Sequence, residues 1–86
     1  MYNPAYVFRL FVDSEEIATN IQDQLLNQRI RSDYVRSVNI EDPAKWKVIF
    51  IEPDMGTARK AILRLNPQVN NWDYFDPSGD WNKWTK

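Results

Sequence analysis

The chain has 86 residues, 43% hydrophobic and 27% charged, with eleven basic and twelve acidic side chains for a net charge of −1. This is ordinary globular composition sized for one domain, and the near-zero charge supplies no global attraction to nucleic acid or anionic lipid. Cysteine and histidine are both missing, which removes disulfides, thiolate nucleophiles, imidazole bases and the usual zinc ligands.

Ala5-Tyr6-Val7-Phe8-Arg9-Leu10-Phe11-Val12 is rich in β-branched and aromatic residues and reads as a central strand. It is too short, and too interrupted by Arg9, to span a bilayer, and Met1-Tyr2-Asn3-Pro4 lacks the basic start of a signal peptide, so a cytoplasmic, membrane-free protein is expected. Asp13, with Glu16 three places on, predicts a helix start. Ile17, Ala18, Ile21, Leu25 and Leu26 then recur at spacings of three and four, predicting an amphipathic helix from Ser14 to about Gln28.

Asp33 to Ile40 alternates and is polar enough for an edge strand, and Glu41-Asp42-Pro43-Ala44 predicts a turn. Lys45 to Ile51 ends in an unbroken apolar run and reads as a second central strand. Asp54 is placed to cap a second helix through Ala58, Ala61, Ile62 and Leu65, which Pro67 must end. Val69 to Phe75 is a weaker fourth strand, and Asp76-Pro77-Ser78-Gly79-Asp80 is a turn sequence.

The order β-α-β-β-α-β predicts an α+β, ferredoxin-like sandwich: a four-stranded antiparallel sheet, two helices on one face, and an aromatic C-terminal tail. The domain is expected over residues 1–76 and the tail over 77–86. Tyr6, Phe8, Leu10 and Val12 share one parity, as do Trp46, Val48 and Phe50, and these sets are expected beneath the helices. The opposite parity, Val7, Arg9 and Phe11 with Lys47, Ile49 and Ile51, forms a mixed surface too apolar to be left to water.

Catalysis would have to rest on carboxylates, lysine, tyrosine or a metal. Glu41-Asp42 reads as a solvated turn and Asp54 as a helix cap, and two glycines, Gly56 and Gly79, cannot build a phosphate loop. No enzyme, no cofactor and no metal site is therefore expected. A sheet with one open face is similar to that of RNA-recognition domains, but the aromatic residues of the central strands fall on the core parity and the glycine-rich consensus of those domains is missing.

Three of the four tryptophans, Trp72, Trp81 and Trp84, lie with Tyr74 in the last fifteen residues, among acids and turn formers. Trp81 and Trp84 either fold back over the small core or anchor a partner, as such rings do in protein interfaces. The second helix exposes Arg59, Lys60 and Arg64, suited to an acidic partner or only to solvent. The expected function is a protein-binding module, an adaptor or inhibitor of a larger protein, using Trp72, Tyr74, Trp81, Trp84, Arg59, Lys60 and Arg64, with homodimerisation possible in so small a core. The alternative is a nucleic-acid binder using Arg36, Lys45, Lys47, Arg59, Lys60 and Arg64.

Overall fold

A computed structural model describes residues 5–42, 44–69 and 71–75, and the backbone alone of 81–83. Seven elements follow in the order β1 (Tyr6–Val12), α1 (Glu15–Asn27), β2 (Ser32–Arg36), β3 (Trp46–Glu52), α2 (Met55–Leu63), β4 (Asn71–Phe75) and β5 (Trp81–Lys83). All strand pairings are antiparallel, in the spatial order β2-β3-β1-β4-β5. The two most apolar strands, β1 and β3, are thus internal, as their sequences require.

The expected parities hold. Phe8, Leu10, Val48 and Phe50 are at most 2% exposed and join Ala18, Ile21 and Leu25 of α1 and Ala58, Ala61 and Ile62 of α2 in one core, so both helices cover the same face. At its centre Phe8 and Phe50 stack with ring centroids 4.9 Å apart, and Phe8 also meets Trp72 at 6.0 Å. Each such ring removes a large apolar area from water.

Three details depart from the sequence reading. The cap of α1 is Ser14, whose Oγ accepts from the Ile17 amide, rather than Asp13; the serine already stands at the position whose side chain reaches the third helical amide. Strand β2 stops at Arg36, because Asn39 accepts from the Asp42 amide through its carbonyl and from the Glu41 amide through Oδ1, turning the chain where alternation predicted more strand. The sheet has a fifth strand: Trp81–Lys83, assigned to the tail by sequence, pairs with β4. Helix α1 ends at its cap Gln28 as expected, followed by Arg29 in the left-handed region (φ 64°), where its amide bonds Leu26 O and that of Ile30 bonds Leu25 O, each at 2.9 Å.

Asp54 caps α2 as expected, accepting from the Thr57 amide and hydroxyl at 3.2 and 2.6 Å. Beyond α2, Gln24 holds Asn66 from both sides, accepting from its amide at 2.8 Å and donating to its carbonyl at 2.5 Å. This contact ties the chain entering β4 to α1.

Candidate functional site: the open face of the sheet

The side of the sheet away from the helices is built by strand register. Val7 lies between Ile51 and Phe75, Arg9 between Ile49 and Asp73, and Phe11 between Lys47 and Asn71; on the next strand Asp33 opposes Ile49 and Val35 opposes Lys47. Beyond β4, the backbone of Trp81 pairs with Phe75 and that of Lys83 with Asp73.

Arg9 and Asp73 form the centre of this face. Arg9 Nε donates to Asp73 Oδ1 at 2.8 Å and Nη2 to Oδ2 at 2.5 Å, a two-pronged ion pair directly across β1 and β4. Their side chains are 21% and 7% exposed, so the carboxylate is almost wholly withdrawn from water. The hydrogen bond to Asp73 holds the Arg9 guanidinium above its already high pKa, opposed by burial and assisted by the charges of Asp73 and Asp42. The guanidinium also lies 5.3 Å from the Phe11 ring centroid, within cation–π range.

The turn between β2 and β3 supplies the rim. Asp42 accepts a short hydrogen bond from Ser37 Oγ and lies 3.5 Å from Lys47 Nζ. The Ser37 bond foremost, then the charges of Lys47 and Arg9, hold the Asp42 carboxyl below the usual range against the effect of burial. The same turn thrusts Val38 and Ile40 outward at 91% and 99% exposure. On the face itself Ile51 is 61% and Val35 41% exposed, with Val7, Ile49 and Phe75 half-buried. Apolar side chains therefore surround a charge pair that is already satisfied.

The residues singled out by sequence do not converge. Trp72 is 6% exposed and Tyr74 is half-buried; both pack with Phe8, and Tyr74 also with Tyr6, on the helix-covered side. Arg59, Lys60 and Arg64 are exposed on α2, across the sheet from the open face. Of the tail, Trp81 contributes its backbone to β5, while Trp84 lies outside the described residues. Among the described residues, no three acids come together as metal ligands, and no helix is long and apolar enough to cross a membrane.

The sequence reading did pick out the open-face parity of β1 and β3. It does not reach Asp73 and Phe75, because the sequence of β4 is a weak strand signal that defines no faces. It also placed Val38 and Ile40 in a strand, where their alternation concealed that they project from a turn. Comparison with protein-family models, curated proteins and solved structures finds no match to this chain.

Proposed function

We propose that this chain is a non-catalytic protein-binding module, an adaptor or modulator of a larger protein, whose partner docks on the open face of the sheet. The observation carrying this reading is the exposed Ile51 with Val7, Ile49 and Phe75 around the paired Arg9 and Asp73. An open antiparallel face left to water is normally polar. Here the apolar residues supply contact area, while the charges in their midst are paired in advance and add little new desolvation on docking. The order of elements and the strand order β2-β3-β1-β4 support the ferredoxin-like split unit as the underlying fold.

The nucleic-acid alternative has less support. Tyr6, Phe8, Trp46 and Phe50 pack against the helix-side core rather than forming a stacking platform on the open face, and Lys47 is engaged by Asp42. In a capture experiment from native lysate, a stoichiometric protein partner should be retained by wild-type protein and by Lys60→Ala, lost with Ile51→Asp, and little affected by salt. Capture that survives Ile51→Asp and fails with the Trp81→Ala/Trp84→Ala variant would move the contact to the tail. Salt-released nucleic acid as the sole ligand would overturn the proposal.

A further inference from the structure

Strand β2 is an edge of the sheet, and its free side can be read from the ladder. The Ser37 amide donates to Lys45 O at 2.7 Å, so the pairs bonded to β3 are the odd-numbered ones, and Ser32, Tyr34 and Arg36 turn their backbone groups outward. Gln22 Nε2 donates to one of these, Ser32 O, at 2.7 Å. Among the described residues, nothing is bonded to the outward groups of Tyr34 or Arg36. The strand carries no proline, and its two charges, Asp33 and Arg36, are of opposite sign.

The sequence of this edge is complementary to itself. A second β2 added antiparallel about a two-fold axis normal to the sheet must pair outward residues with outward residues and keep the faces aligned. Centring on Asp33 sets like charges against each other, and centring on Tyr34 sets Asp33 opposite Val35 and Ser32 opposite Arg36. Centring on Val35 sets Val35 against itself, Tyr34 against Arg36 twice and Asp33 against Ser37 twice. Of the three, only this last register avoids setting a charge against its like or against an apolar side chain within β2, and it pairs Tyr34 with Arg36 twice.

Two further observations favour it. Tyr34 Oη donates to Glu15 Oε2 at 3.1 Å, so an arginine arriving opposite Tyr34 meets both a ring and a carboxylate. Arg36 is exposed and has no side-chain partner among the described residues, so the second copy supplies the charge that this tyrosine–glutamate pair lacks.

We infer that the β2 edge binds a second copy of this chain, β2 to β2 antiparallel about Val35, joining two sheets into one continuous sheet. The absence of cysteine makes the test clean, because one introduced thiol can form only an intermolecular disulfide. Val35→Cys places two sulfurs at a non-hydrogen-bonded pair with Cα atoms about 4.5 Å apart, within disulfide range. Tyr34→Cys in the same dimer leaves them roughly 9 Å apart, beyond reach. Leu63→Cys, exposed on α2, reports random collision.

On mild oxidation Val35→Cys should form covalent dimer at least tenfold faster than either control. In sedimentation equilibrium the wild type should have twice the 10.3 kDa chain mass, and Val35→Lys, with its far-ultraviolet spectrum unchanged, the mass of one chain. A wild-type monomer at roughly 100 µM, where even a modest edge contact should be populated, would overturn the inference. So would Val35→Cys oxidising no faster than Leu63→Cys, or Tyr34→Cys oxidising faster than Val35→Cys.

Discussion

The Arg9–Asp73 pair allows a sharp test of how the open face is held together. It links residues 64 positions apart and crosses β1 to β4, and its two ends differ in exposure: 21% for the arginine side chain and 7% for the aspartate. Removing a partner leaves the other charge uncompensated, and the penalty depends on how readily that charge reaches water. Arg9→Leu strands the shielded carboxylate and should cost about 3 kcal/mol; Asp73→Leu takes a carboxylate from a long, partly exposed guanidinium that can turn toward solvent and should cost about 1–2 kcal/mol. The double replacement removes both charges, keeps apolar volume on a face already lined by Val7, Phe11 and Ile49, and should fall within about 1 kcal/mol of wild type. Urea denaturation of the four proteins at neutral pH, with a common slope, measures the cycle. Two single variants that each cost under about 0.5 kcal/mol would show the pair to be no stronger than a surface ion pair. Additive costs in the double variant would show that the two side chains act separately, and the account of this face would fail.

Two further outcomes are expected. A β-carbon added at Gly56, in the first turn of α2, would meet the Asp54 carboxylate oxygens at an ordinary 3.8 Å, so Gly56→Ala should stabilise the protein by roughly 0.5–1 kcal/mol and raise its Tm by about 2–6 °C, read by calorimetry. The Asp54 carboxyl is held below its usual range first by the Thr57 hydroxyl and then by the Thr57 amide, as Asp42 is by Ser37 and then Lys47. A depressed folded-state value means stability that is fully present above the unfolded pKa of about 4 and lost as pH falls from there through the lower folded value. Asp42→Asn and Asp54→Asn should each flatten the stability loss below about pH 4 in acid titrations followed by circular dichroism; unchanged slopes would contradict the assigned hydrogen bonds.

The fold was legible where side-chain period and burial coincide. Phe8, Leu10, Val48 and Phe50 alternate with residues of the other face, and their parity alone put them beneath the helices. Asp54 was legible as a cap because one residue type, one proline and the following apolar spacing agree. At the start of α1 two capping residues stand side by side, and only the backbone decides that Ser14, with φ −146°, fills the position and Asp13 does not. The extent of β2 was illegible for a similar reason: Val38 and Ile40 have strand-like alternation, yet the local hydrogen bonds made by Asn39 outweigh it at an edge that has only one neighbouring strand.

The open face was half legible, and the missing half changes what the site can do. From β1 and β3 alone, the face is a mixed surface with the cations Arg9 and Lys47 among apolar residues. With β4 in register, Asp73 neutralises that cation from the adjacent strand, and Asp42 answers Lys47 at the rim. The centre of the face then presents Ile51, Val7, Ile49 and Phe75 around charges that need nothing from a partner. Complementarity to such a surface is mainly one of shape and apolar area. Among the described residues, outward backbone groups without a hydrogen-bond partner lie instead along β2, at Tyr34 and Arg36. The two proposals therefore call for different partners: a second copy of β2 at the edge, and an apolar protein surface on the face. A second copy bound at β2 would leave the first open face free and set another beside it in the same sheet.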